Sequence, residues 1–377
     1  MYCDFCSAAE KPETIAAYCF ALEKQIFHIS ERYADQTVDT VFLGGGTPTL
    51  VPPETMRRVL RALKKSFSFS PDLEFTSEGN PGTVTAEWLD MAVEQGLNRL
   101  SLGVQAAQER LLQTIGRIHT LQDAAEAVRL ARSAGIRNLN LDAMFGLPGQ
   151  SETDYLDTLK TFRQLGAEHI SAYSLILEEG TPLHAMVEEG KRRLPDEDET
   201  AAMYERGIEW LEKNGYPRYE VSNFARPGYE CRHNLGYWQG EWYLGLGVAA
   251  HSMLPPAPEQ RKNGIVRIRQ AAGTNVQAYI RTVNETGQAP VEETEEIRSE
   301  EAMFETLMLG LRTVKGVNER RFETVHGVSL ERQYGERLGT LVRDGLGEWI
   351  GDGQERSFTL TPRGLEVQNE VLMRLMD

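Results

Sequence analysis

The stretch TVFLGGGTPT (residues 40–49) decides how the chain is read. Four residues suited to a strand run straight into three glycines, and a helix-like segment opens after Pro52-Pro53. A strand that turns through glycines into a helix is the first half of a βαβ unit. The pattern recurs downstream. LEFTSEGNP (73–81) precedes a helical stretch at 85–95, and RLSLGVQ (99–105) precedes helical segments that reach residue 134. LNLDAMFGLPG (139–149) precedes a helix for which Ser151-Glu152-Thr153-Asp154 supplies an N-cap. HISAYSLIL (169–177), a helix at 197–214 and YEVSNFA (219–225) complete the series. Upstream, Ile15, Tyr18, Cys19, Leu22, Ile26, Ile29 and Tyr33 recur at helical spacing. Strands separated by helices, with no dinucleotide fingerprint after the first of them, predict an α/β fold with a parallel sheet closed into a full or partial barrel. Chemistry in such barrels sits at the C-terminal ends of the strands, and the unusual residues here, Gly44–Thr47, Glu78, Gln105 and Asp142, are expected there.

Composition narrows the class. The chain has 377 residues, and at roughly 100–200 residues per domain that predicts two or three domains. Forty Lys and Arg against 56 Asp and Glu leave a net charge of −16, which argues against an electrostatic grip on nucleic acid. Four cysteines (Cys3, Cys6, Cys19, Cys231) are too few and too unevenly spaced for a disulfide scaffold. No apolar run approaches the roughly 18–20 residues that span a bilayer. A cytoplasmic protein with reduced thiols is the expectation. Three compositions follow one another: a barrel over 1–225, a glycine- and aromatic-rich, then β-rich, segment over 226–295, and helices followed by a small hairpin over 296–377. The last resembles a winged helix without a basic recognition cluster, so it reads as a scaffold or partner surface.

Single residues are chemically open. Gly44-Gly45-Gly46-Thr47 exposes backbone N–H groups to a ligand but lacks the ending of a P-loop. Glu78 and Asp142 offer carboxylates to an amino group or to ribose hydroxyls, Gln105 an amide, and Arg117 a guanidinium to a carboxylate. Cys3-Asp4-Phe5-Cys6 is either a metal or Fe–S site or a pair of inert thiols, because no strand precedes it to make a redox motif. Cys19 lies on the apolar stripe and reads as core, while Cys231 could be either buried or functional. His233-Asn234-Leu235-Gly236-Tyr237-Trp238 is the densest cluster; its imidazole could ligate haem iron or simply be a hydrogen-bonded loop histidine. His119 and His251 carry less.

Taken together these stretches resemble the radical S-adenosylmethionine (SAM) family, in the branch of oxygen-independent coproporphyrinogen III oxidases and HemW-type haem chaperones. The resemblance rests on YCDF (2–5), GGGTPT (44–49), EGNP (78–81), LGVQ (102–105), GRIHT (116–120), LDAMFGLPGQ (141–150) and YEVSNFARPG (219–228), in order over nearly the whole chain. HNLGYW (233–238) matches the HNxxYW signature of the chaperones. The resemblance implies a partial (β/α)6 TIM-like barrel with a C-terminal helical, winged-helix-like domain. It implies that Gly45, Gly46 and Thr47 line the methionine end of SAM, and that Glu78, Gln105, Arg117 and Asp142 complete the pocket. Ile176 would pack near the adenine or sugar, and His233 becomes the haem contact.

The family holds a [4Fe–4S] cluster through C-x-x-x-C-x-x-C. Cys3 aligns with the third cysteine of that motif, and the second would fall immediately before Met1, so an internal start or a trimmed chain is expected. Cys6 cannot substitute at the motif's spacing. Phe5 stands where the oxidases add a fourth cysteine. The implied function is to bind haem and transfer it to apo-haemoproteins, including respiratory membrane proteins, on a scaffold built for SAM and [4Fe–4S]. The alternative is an enzyme that decarboxylates coproporphyrinogen III to protoporphyrinogen IX by radical chemistry.

Overall fold

A strand whose side chains alternate between two faces can bury both only if each face meets a partner. The computed structural model describes residues 11–376, which fall into two compact units. One takes in the chain up to Arg218, with 222–230 and 276–288; the other takes 219–221, 231–275 and the chain from 289 on.

The first unit is a six-stranded sheet curled into a half-barrel, with strands β1 (Thr37–Leu43), β2 (Ser68–Gly79), β3 (Arg99–Gln105), β4 (Asn138–Phe145), β5 (His169–Ser174) and β6 (Asn223–Ala225) in that spatial order. β1 to β5 are parallel; Val41 pairs with Phe75, Ser101 with Asn140, and Asp142 with Ser171. Parallel neighbours need crossovers, which the helices Pro53–Ser66, Ala86–Glu94, Leu121–Ser133 and Glu152–Gln164 supply. Their starts are set locally. Thr120, Ser151 and Asp196 each accept the N3 backbone N–H, and Asp123, Asp154 and Glu199 reach back to complete capping boxes. β6 departs from a series in one direction: it runs antiparallel to β5, with Ile170 opposite Phe224.

The two faces of the sheet differ. Leu100, Leu102 and Val104 of β3, Leu139, Leu141 and Ala143 of β4, and Ile170 and Ala172 of β5 are buried on the apolar face. The alternate positions, Arg99, Ser101 and Gln105, Asn140 and Asp142, His169, Ser171 and Tyr173, share the other, and hydrogen bonds join several of them. The apolar face meets helices; the polar one is the interior. The helix Pro12–Ser30 packs on the helices Pro53–Ser66 and Val276–Thr286, with Tyr279 donating its hydroxyl to Gln25 at 2.5 Å. Cys19 is buried in this layer, where burial pushes its thiol up to about 11, so it is unreactive core.

The second unit carries two antiparallel sheets. One contains β7 (His251–Leu254), β8 (Ile265–Ala272) and β9 (Val291–Arg298) in order. The other has β10 (Val317–Asn318), β11 (Gly347–Ile350) and β12 (Ser357–Leu360), with β12 central. With the helices Ser299–Gly310, Glu319–His326 and Leu330–Arg343 it forms a winged-helix-like module around Leu307, Phe322, Leu338 and Phe358. Arg356 lies 4.0 Å over the Trp349 ring on the wing.

One close approach is a sensitive test of the helix layer. A Cβ at Gly207, in the helix Glu197–Lys213, would stand 2.6 Å from the ring of Tyr155, which is itself fully buried. Gly207→Ala is expected to cost about 1–3 kcal/mol in urea unfolding, and adding Tyr155→Leu to recover part of that loss. Equal stability of Gly207→Ala and the wild type would show that the two helices do not meet this closely.

Candidate functional site

The first candidate site grows from the polar face of the curled sheet. β1 ends at Leu43, and the chain turns through Gly44-Gly45-Gly46-Thr47. Gly45 has φ +89°, which a side chain would strain, and its N–H donates to Glu78 Oε2 at 3.2 Å. A Cβ on Gly44 would come within 2.9 Å of the Glu78 carboxylate, whereas one on Gly45 or Gly46 would meet nothing within 4 Å. The turn is therefore tight on one side and open on the other.

Thr47 Oγ1 accepts from Asn80 Nδ2 at 3.1 Å, and Asn80 Oδ1 accepts from Arg117 Nη1 at 2.5 Å. Asn80 thus ties the glycine turn to the guanidinium. Gln105 ends β3 with φ +73°, a left-handed backbone that an amide-bearing residue adopts at a cost of order 1–3 kcal/mol. Its Oε1 accepts from Tyr173 Oη at 3.1 Å. The strain is held by a register shift in the β3–β4 pairing between Leu102 and Gln105.

Asp142 was expected at a strand end and instead lies three residues inside β4, opposite Ser171. Asn140 Nδ2 donates to Asp142 Oδ1 at 2.7 Å and to Ser101 Oγ at 2.8 Å. Asn140 Oδ1 accepts from His169 Nδ1 at 2.6 Å and from the Ser171 N–H at 3.1 Å. An amide oxygen can only accept, so His169 carries its proton on Nδ1. Burial, and then the charge of Arg99, hold this imidazole neutral, far below its ordinary pKa.

The two carboxylates are both made reluctant to ionise. Burial pushes Glu78 up to about 7, the Asp142 charge adds to the rise, and the Gly45 N–H opposes it. Asp142 is raised by burial, against its hydrogen bonds from Asn140 and Ser171 and the charges of Arg117 and Arg99. Two buried carboxylates of this kind gain from a cationic ligand, and Arg117 can hold an anionic one. The arrangement suits a zwitterion with an ammonium group and a carboxylate. Ile176, beyond the end of β5, is 70 % exposed.

Sequence reasoning named Gly45, Gly46, Thr47, Glu78, Gln105, Arg117 and Asp142, but missed Asn80, Ser101, Asn140, His169 and Tyr173. The signal was the alternation of polar residues in RLSLGVQ, NLNLDAM and HISAYS, strands otherwise apolar enough to be fully buried. His119 is explained by structure: it is buried, and its Nε2 lies 3.1 Å from the Val104 carbonyl.

Cys3 and Cys6 lie outside the described residues. Among the described residues no group of three His, Cys, Asp or Glu is arranged to hold a metal ion, and no helix is long and apolar enough to cross a membrane.

The second candidate site is in the other unit. HNLGYW folds as the short helix Arg232–Trp238. His233 Nε2 is 2.9 Å from Tyr237 Oη, and their rings meet edge to face with centroids 4.9 Å apart. Tyr237 in turn meets Tyr243 edge to face at 4.8 Å. Burial and Tyr243 push the Tyr237 hydroxyl up to about 12, so it stays protonated. Trp238 lies under the Arg312 guanidinium, and Trp242 is half exposed. Cys231 is fully buried, with its N–H donating to Tyr219 Oη at 3.3 Å.

Comparison with known proteins gives the family and the fold. The Radical SAM superfamily model matches residues 1–162, and the HemN C-terminal domain model matches 297–367. The heme chaperone HemW of Bacillus subtilis is 35 % identical over 371 residues, covering 98 % of this chain and 94 % of the relative. The heme chaperone HemW of Lactococcus lactis is 34 % identical over 377 residues, covering 100 % of this chain and 93 % of the relative. The solved coproporphyrinogen III oxidase HemN of Escherichia coli, described as a radical SAM enzyme, superposes with a TM-score of 0.80 at 22 % identity over 99 % of this chain and 86 % of that one, which establishes the shared fold. The chain belongs to the HemW family within the radical SAM superfamily.

Proposed function

We propose that this protein is a haem chaperone: it binds haem at the Arg232–Trp238 helix, with His233 as the iron contact, and hands the haem to apo-haemoproteins, including respiratory membrane proteins. The observation that carries the reading is His233 itself, an imidazole on the short helix Arg232–Trp238 that also carries Tyr237 and Trp238, with Trp242 just beyond it, rings that can stack on a porphyrin. The oxidase reading has the shared fold and a SAM-type pocket in its favour, features that a haem chaperone built on this scaffold shares, and a fold does not assign chemistry.

On the same reading, the interior of the first unit holds SAM. The donor set fits such a ligand: Glu78 and Asp142 for its cationic end, Arg117 for its carboxylate, and open space beside Gly45 and Gly46 for a close backbone approach. Gln105 and Thr47 would add hydrogen bonds, and Ile176 an apolar contact. Cys3, aligned with the third cysteine of the cluster motif, would be one ligand of a [4Fe–4S] cluster. With both bound and one electron delivered to the cluster from an external reductant, the pair would supply reductive SAM cleavage. Glu78 changes charge on loading: largely protonated when the pocket is empty below about pH 7, it gives up its proton to meet the ligand's positive charge.

The sign of that linkage is testable. Because Glu78 titrates near 7 in the fold against 4.5 ordinarily, the folded state holds this proton more tightly, and its contribution to stability falls as pH rises from 4.5 to 7. SAM affinity, read by equilibrium dialysis, is expected to rise about tenfold from pH 6 to pH 8. Glu78→Gln is expected to lose affinity and its pH dependence, while gaining about 2–3 kcal/mol of ligand-free stability at pH 8. A wild-type affinity indifferent to pH would refute the proton release.

Haem binding is tested by haemin titration followed in the Soret band. His233→Ala is expected to weaken binding at least tenfold, about 1.4 kcal/mol. Unchanged binding in the variant would reject His233 as the contact, and turnover of coproporphyrinogen III by cluster-loaded protein would support the oxidase instead.

A further inference from the structure

The hydrogen bond between His233 and Tyr237 has a consequence for release. The two residues are four apart on one helix and so occupy one face of it. At 2.9 Å, Nε2 and the hydroxyl are committed to each other. If Tyr237 donates, it occupies the lone pair that iron would use. If Nε2 carries the proton, the lone pair is absent. In either tautomer, iron reaches Nε2 only after this bond is broken.

We propose that Tyr237 is a releasable cap on the His233 imidazole, a positioning residue that competes with iron for Nε2 and so keeps haem exchangeable. The proposal rests on His233 as the haem contact. The cap is held in place without being locked in. Its ring stands edge to face against His233 on one side and Tyr243 on the other. Tyr243 is anchored by paired backbone hydrogen bonds with Met253, at 3.2 and 2.9 Å. Tyr237 is itself 39 % exposed, so its ring can swing toward solvent without opening a core. The face of the imidazole that binds is thus already shaped, and the tyrosine returns to Nε2 as iron leaves, offsetting part of the cost of breaking the iron–nitrogen bond.

A net hydrogen bond of ordinary strength corresponds to roughly a two- to tenfold change in equilibrium. Haemin titration and transfer of haemin to apomyoglobin, both followed in the Soret band, read the effect in wild type, Tyr237→Phe, His233→Ala and the double variant. Tyr237→Phe keeps the ring and removes only the hydroxyl. It is expected to bind haemin about two- to tenfold more tightly than wild type and to transfer it correspondingly more slowly. In the His233→Ala background the same substitution is expected to change neither quantity. Unchanged or weaker binding by Tyr237→Phe, with His233→Ala still weakened, overturns the cap and leaves the haem contact standing. A gain that persists in the His233→Ala background also overturns it, because the hydroxyl would then act on something other than the imidazole. Wild-type binding by His233→Ala overturns the haem contact and the cap with it.

Discussion

Asn140 is the joint on which the interior of the first unit depends. From the middle of β4 it bonds to β3 through Ser101 and to β5 through His169 and Ser171, and within its own strand it holds Asp142. No apolar residue could stand there. A buried carboxylate without partners costs several kcal/mol, and each strand contributes a polar side chain that only another polar side chain can satisfy. The amide fits because it presents a donor to Asp142 and an acceptor to His169 at once. Replacing it with an aspartate would put a second negative charge beside Asp142, and replacing it with leucine would remove a hydrogen bond from each of Ser101, Asp142, His169 and Ser171. The interior is therefore held by geometry as much as by burial, and the carboxylates facing the pocket inherit that rigidity.

The same constraint explains what a sequence does and does not reveal. The strands β1 to β5 and their crossover helices are legible because they obey local rules: apolar alternation, glycine turns and capping boxes at Thr120, Ser151 and Asp196. The direction of β6 is not legible, since YEVSNFA has the same alternation whichever way it runs; its pairing with β5 is set by the connection that brings it there. Nor does any local pattern report that Tyr279 reaches back to Gln25 across more than two hundred residues. These are tertiary facts.

Within the site, glycines, charged residues and the strand-end glutamine stand out because each is unusual where it occurs. Asn140, Ser101, His169 and Tyr173 do not, because a polar residue in a strand has an ordinary solvated reading. What distinguishes them is collective. They alternate with leucines and isoleucines that must face helices, so the polar residues cannot face water unless the sheet has a wet side. In β3 all seven residues are buried, which leaves Arg99, Ser101 and Gln105 facing inward to other polar groups. The polar phase of these buried strands thus marks the supporting layer as the apolar phase marks the core.

The two candidate sites differ in how tightly they are determined, and the difference matches what each is proposed to do. Gln105 is held in a left-handed backbone, Asp142 by Asn140, and Arg117 by Asn80, so this pocket has little freedom to adjust and suits one ligand in one pose. The helix Arg232–Trp238 is short, none of its residues is fully buried, and its histidine is held by a tyrosine that is itself part exposed. A protein that delivers its cargo must bind it with contacts that can be exchanged singly, each step costing little. An overdetermined pocket would raise affinity and slow release together, since most variation in affinity between related complexes lies in the dissociation rate. A lightly held histidine is suited to passing haem on.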